Sequence, residues 1–153
     1  MSGMSGMHLH DSGAARTITL RCDSRLENVE LLAFAVRGLC GAAGVAAREC
    51  AHIELALVEA ANNVVRHAYR GEAGHVLEVV FTLERESFTL EVADHGTPMP
   101  VRPAPNLDFD PADIAHLPEG GMGLFIIHSV MDHVDYRSED GRNALRMTRR
   151  LAA

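Results

Sequence analysis

The sequence predicts an α+β protein in two layers, a mostly antiparallel five-stranded sheet covered on one face by three helices. Two hairpin signals and the placement of the helical segments predict it. His75 to Leu83 and Ser87 to Asp94 are β-rich runs separated only by Glu84, Arg85 and Glu86, which is the spacing of antiparallel partners. Val134 to Arg137 and Ala144 to Arg149 make a second pair, turned by Asp140-Gly141. The helical stretches fall outside these hairpins, so they are free to share one face of the sheet; a parallel doubly wound sheet would need strands and helices to alternate. The expected order is β-α-α-β-β-α-β-β.

Residues 1–15 carry a Met-Ser-Gly repeat, His8, His10, Asp11 and small residues without the apolar middle of a secretory signal, and read as a flexible tail ahead of one domain at 16–153. Ile18, Leu20 and Cys22 alternate with Thr17, Thr19 and Arg21, the period of a half-buried strand. Asp23 or Ser24 is placed to cap a helix, and Glu27 stands three residues beyond Ser24 in capping-box spacing, ahead of the apolar run Val29 to Leu39. That helix should end near Gly41 to Gly44. A second helix is expected from about Ala46 to Tyr69, with Ile53, Leu57, Ala61, Val64 and Ala68 on one face and Gly71 and Gly74 as its stop. After the second hairpin strand, a long aperiodic segment to Glu119 carries prolines at 98, 100, 103, 105, 111 and 118. A loop of that length inside a compact domain is usually functional or disordered. Gly120 to Asp132 reads as a helix opened by glycines.

A length of 153 residues suits one core. Twenty-one acids against fourteen bases give a net charge of −7 without runs of like charge, which argues against an electrostatic grip on nucleic acid or anionic lipid. The longest weakly charged apolar run, Leu31 to Ala47, is broken by Arg37 and Gly38 and is too short to span a bilayer. Cys22, Cys40 and Cys50 are odd in number and widely spaced, offering neither a disulfide framework nor a metal clasp; a reducing cytoplasm is the expected compartment, with Cys40 and Cys50 as small buried hydrophobes. The nine histidines show no consistent metal-ligand spacing.

Three motifs carry chemistry. On the second helix Glu59, Asn62, Asn63, Arg66, His67 and Arg70 recur at three- and four-residue intervals as one polar stripe. Most such stripes are solvated faces, but two adjacent asparagines in mid-helix weaken the helix and gain nothing from exposure. Asp94-His95-Gly96 places a carboxylate at a strand end with a glycine two residues on, which alone is most often a turn. Gly120-Gly121-Met122-Gly123 runs directly into a helix start, where free backbone N–H groups and the positive end of the helix dipole suit phosphate oxygens; the plain reading is a linker and cap.

Taken together, in this order, the motifs resemble those of the anti-sigma-factor serine/threonine kinases among the Bergerat-fold (GHKL, HATPase) ATPases, relatives of histidine-kinase catalytic domains and gyrase. The resemblance covers about Ile53 to Leu151. The run Glu59 to Tyr69 looks like the family's N-box, Asp94-x-Gly96 like its first glycine box and Gly121-x-Gly123 like its second. The resemblance implies a Bergerat fold that binds ATP and Mg²⁺. Glu59 would be the general base toward a serine hydroxyl, and Asn63, one turn on, would hold Mg²⁺ against the phosphates. Arg66 and His67 would reach phosphate oxygens. Asp94 would accept from the adenine amino group, Gly96 would let the backbone approach the ring, and Gly120, Gly121, Met122 and Gly123 would cradle the phosphates. Thr148 would support the adenine site.

Two departures stand out. Pro98 replaces the second glycine of the usual Asp-x-Gly-x-Gly box, and the presumed ATP lid carries Asp108, Asp110, Asp113 and Glu119 against Arg102 alone, so the lid is expected to close only when its acidic charge is offset. The resemblance implies a STAS-domain anti-anti-sigma protein as the phosphorylated partner, a sigma factor or other regulator as the sequestered one, and a homodimer. The competing class is a non-catalytic binding module that responds to nucleotide, and Glu59 favours the enzyme because nucleotide binding alone needs no base there.

Overall fold

The computed structural model describes residues 15–100 and 121–151. Its elements are β1 (Arg16–Asp23), α1 (Leu26–Ala42), α2 (Ala47–Asn63) running into a π-helical turn (Val64–Ala68), β2 (Val76–Leu83), β3 (Ser87–Asp94), α3 (Gly121–Val130), β4 (His133–Glu139) and β5 (Arg142–Arg150). The sheet order is β1-β2-β3-β5-β4 and every neighbouring pair is antiparallel. The two-layer α+β reading is therefore the observed architecture. Most of the tail expected at 1–15 and of the lid, with Arg102, Asp108, Asp110, Asp113 and Glu119, lies outside the described residues, as does Gly120.

Alternation decides which side of each strand is buried. Leu77, Val79 and Phe81 on β2, Phe88, Leu90 and Val92 on β3, and Leu145 and Met147 on β5 face the helices and are buried. They meet Val29, Leu32, Val36 and Cys40 of α1, Ile53, Ala56, Leu57, Ala60 and Ala61 of α2, and Ile127 of α3. The three- and four-residue spacing on α2 is what lays one continuous stripe against the sheet, and each fully buried large side chain there contributes roughly 1.5–3 kcal/mol. The other face carries ion pairs, Arg21 Nε to Glu78 Oε2 at 2.7 Å and Arg142 Nη2 to Glu91 Oε1 at 3.0 Å. Burial pushes the Cys40 thiol up to about 12, in keeping with its reading as a core hydrophobe.

Turn chemistry closes the second hairpin. Asp140 (φ 51°) and Gly141 (φ 76°) are both left-handed between the paired residues Glu139 and Arg142, the geometry of a two-residue type I′ turn and the reason Asp-Gly marks it in the sequence.

Two expectations are corrected. Neither Asp23 nor Ser24 caps α1: the N-cap position is Arg25, without a side-chain cap bond. Ser24 Oγ instead donates to Glu72 O (2.8 Å), and Asp23 Oδ1 accepts from Gly74 N–H (2.7 Å), so both side chains pin the loop before β2 to the end of β1. The second helix is not regular to Tyr69 either. Tyr69 N–H bonds to Val64 O, five residues back, and the widened turn changes where the last N-box side chains project.

Candidate nucleotide site

The candidate site begins where α2 gives way to the π turn. Asn63, Val64, His67 and Ala68 form one wall of a cavity of about 320 Å³; Val92 and Asp94 of β3, Leu145 of β5 and Tyr136 of β4 form its floor, and Thr97 to Pro100 with Leu124 of α3 border it. The walls are mostly apolar, with the Asp94 carboxylate and the Asn63 amide among them. That composition and size suit a small planar ligand with a polar edge.

Asp94 is 5% exposed and reaches this position as the last residue of β3. Its Oδ1 accepts from Gly96 N–H at 2.9 Å and from Asn143 Nδ2 at 2.8 Å. The loop after it is clamped to the π turn: Thr97 N–H donates to Ala68 O (2.9 Å), and His95 N–H donates to the Tyr69 hydroxyl (2.8 Å), which itself donates to Val76 O (2.6 Å). Burial raises the Tyr69 hydroxyl above its usual range, so it stays protonated in this role. Gly96 is required here for packing. A Cβ at that position would lie 2.3 Å from Ala68 O, so the absence of a side chain lets the backbone of this corner pack directly on the helix end.

At the other end α3 comes down onto α2. Gly123 is buried, and a Cβ there would stand 3.1 Å from Glu59 Oε2 and 3.2 Å from Asn63 Nδ2. The glycine therefore lets the first turn of α3 lie directly over the Glu59 and Asn63 side chains. Glu59, Asn63 and the start of α3 are thus brought together at one place, which the sequence could only suggest by order. Gly121 is the first residue of α3, and Met122 is exposed beside it.

Other expected residues are not gathered there. Arg66 is exposed and does not line the cavity, whereas His67 does. Asn62 lines a separate groove between α1 and α2 with Val29, Phe34 and Glu54, so the stripe is split between two surfaces. Thr148 does not line the cavity. It pairs with Thr89 and His133, five residues along β5 from Asn143, the partner of Asp94, or roughly 17 Å away at about 3.3 Å per residue. Its strand parity puts it on the open face, with its hydroxyl 3.3 Å from that of Thr89. The β5 positions on the site side are Asn143 and Leu145, which sequence reading missed along with Tyr136. Nothing in the sequence around Asn143 marks it; Tyr136 was visible only as an aromatic within the strand alternation.

Among the described residues no group of three His, Cys, Asp or Glu side chains converges as a metal site, and no helix is long and apolar enough to cross a membrane. Mg²⁺ ordinarily keeps most of its shell from water and substrate phosphates and takes one or two protein oxygens, so the single Asn63 amide lining the cavity fits an ion that arrives with a nucleotide.

The family model for the histidine kinase-like ATPase domain matches residues 22–149, and the chain belongs to that family. Within it, the resemblance is to the anti-sigma-factor serine kinases. The chain is 28% identical over 139 residues to the serine-protein kinase RsbW of Bacillus cereus (strain AH187), covering 84% of this chain and 81% of the relative, and equally to RsbW of Bacillus anthracis (strain CDC 684 / NRRL 3495). Among solved structures it is similar to the RsbU and RsbW domains of a Mycobacterium tuberculosis protein (TM-score 0.66, 16% identity), covering 90% of this chain and 33% of that one. It is also similar to a chain of the SiaB-SiaC complex from Pseudomonas aeruginosa (TM-score 0.53, 12% identity), covering 86% and 89%. These two structural likenesses concern the fold.

Proposed function

We propose that the chain is an ATP-dependent protein serine/threonine kinase and anti-sigma factor, which phosphorylates a STAS-type anti-anti-sigma protein and sequesters a sigma factor or similar regulator in the cytoplasm. The observation that carries this reading is the placement of Glu59 one helical turn before Asn63, both under Gly123 at the start of α3. The relatives named serine-protein kinase support the reaction class. Adenine occupies the apolar cavity with its amino group toward Asp94, and the phosphates extend toward Asn63 and the α3 N-terminus, where free backbone amides and the helix dipole favour them. Mg²⁺, when bound, neutralises phosphate charge. Glu59 accepts the proton of the acceptor hydroxyl while that oxygen bonds to the γ-phosphorus; the bond from phosphorus to the β,γ-bridging oxygen breaks and ADP leaves.

One observation favours a second reading, a binding module that responds to nucleotide without transfer: among the described residues lining the cavity, only His67 can carry a positive charge. Incubation with γ-labelled ATP, Mg²⁺ and STAS-domain proteins from the same genome separates the two. The kinase reading expects label on a serine or threonine of one acceptor, and Glu59→Ala should cut transfer roughly 10²- to 10⁴-fold while ATP still binds. Nucleotide binding without label on any acceptor supports the module, and near-normal transfer by Glu59→Ala removes Glu59 as the base.

A further inference from the structure

Resting on the reading of the cavity as an adenine-nucleotide site, we infer that Asn143 is a positioning residue that sets base selectivity, acting through Asp94 as the middle of a relay from Ser138. Asn143 is 1% exposed on β5, directly opposite Asp94 in the β3·β5 register. Its Nδ2 donates twice, to Asp94 Oδ1 (2.8 Å) and to Gly96 O (2.9 Å), and its Oδ1 accepts from Ser138 Oγ (2.7 Å) on β4. The amide has one workable orientation. Turned over, its carbonyl oxygen would face the oxygens of Asp94 and Gly96 with no proton between them, an unpaired arrangement that costs more when buried.

The consequence falls on Asp94. Its Oδ1 takes two N–H donors, from Asn143 and from Gly96, which fixes the plane of the carboxylate. Among the described residues Oδ2 accepts no hydrogen bond, and Asp94 lines the cavity. A carboxylate oxygen offers only lone pairs, so the group that complements it must be a donor. The exocyclic amino group of adenine is one. The 6-carbonyl of hypoxanthine or guanine would set lone pairs against lone pairs, and an unsubstituted purine would leave Oδ2 unpaired. Discrimination by a polar group held in one direction exceeds that by a mobile one, because a fixed group cannot turn aside to relieve the mismatch. Asn143 therefore converts a carboxylate at a strand end into a selective one, and it also ties both ends of the Asp94-His95-Gly96 corner to β5.

The test is competition binding of ATP, inosine triphosphate and purine riboside triphosphate, with Mg²⁺, to the folded wild type and to Asn143→Ala and Ser138→Ala, well below each melting temperature. Wild type is expected to prefer ATP over both analogues by about 10-fold or more. Asn143→Ala should bring the three within about threefold while the triphosphates still bind, and Ser138→Ala should move the ratio the same way by a smaller factor. A general loss of stability lowers all three affinities together, so the ratio isolates the positioning role. A wild-type ratio retained in Asn143→Ala overturns the proposal, and if that variant does not fold, a wild-type ratio retained in Ser138→Ala overturns it. Wild type that binds ATP without preferring it also overturns the proposal and leaves the nucleotide site standing, whereas wild type that binds no triphosphate overturns both.

Discussion

Two glycines shape the site by lacking a side chain, and each makes a distinct prediction. At Gly96 the obstacle is the backbone carbonyl of Ala68, 2.3 Å from a Cβ, which cannot rotate away. Gly96→Ala is expected to destabilise the fold by about 1–3 kcal/mol, read from denaturant midpoints, with nucleotide binding falling because the Asp94 corner shifts. A midpoint equal to wild type would show that the loop has room the geometry denies it. At Gly123 the obstacles are the ends of the Glu59 and Asn63 side chains, which can move. Gly123→Val should therefore leave the fold largely intact while displacing those two side chains, so that Mg²⁺-dependent nucleotide affinity drops and thermal stability without ligand changes little. Unchanged affinity would show that Gly123 has no part in nucleotide binding. Both glycines were legible in the sequence as motif positions, but the reason for the first was not, because the close approach of Ala68 is a tertiary fact.

Among the elements, α2, α3 and β5 meet at Arg149, whose Nε donates to Glu49 in the first turn of α2 and whose Nη1 donates to Val130 O at the end of α3. The hydrogen bond from Arg149 holds the Glu49 carboxyl below its usual range. A carboxyl whose pKa is depressed on folding contributes stability that is present above its unfolded pKa, 4.5 here, and is lost as pH falls through the folded value. Glu49→Gln is accordingly expected to lower the melting temperature at pH 7, and the gap from wild type should narrow as pH drops below about 4.5. A gap that stays constant with pH would assign the loss to packing instead. At this scale the sequence was most informative where a local rule and the fold agree. The β2/β3 spacing and the Asp140-Gly141 turn predicted both hairpins, and the α2 stripe predicted the buried face. It was least informative where a long-range hydrogen bond took over a locally plausible choice, as at Ser24, which serves the loop before β2 and not a cap, and where the helix widens into the π turn after Asn63, a local irregularity that the residue spacing did not announce. The placement of Thr148 away from the cavity was not legible either, since being on the last strand fixes neither which face a side chain takes nor how far along it lies.

For the whole molecule, the sheet supplies Asp94, Asn143 and Tyr136 from three adjacent strands, the helical layer supplies Glu59, Asn63 and Gly123, and the cavity lies where the two layers part. The chain's membership of the histidine kinase-like ATPase family accords with that division, and under the proposed function the sheet side would read the base and the helix side would meet the phosphates. Both the proposed transfer chemistry and the selectivity assigned to Asn143 depend on this cavity being an adenine-nucleotide site. The most direct measurement is calorimetric titration of ATP with Mg²⁺ into the wild-type chain and into Asp94→Asn. An adenine-nucleotide site there predicts one site per chain in wild type and an affinity about tenfold or more weaker in Asp94→Asn, whose amide no longer offers the charged acceptor. No binding by wild type, or equal affinity in the two proteins, would contradict it.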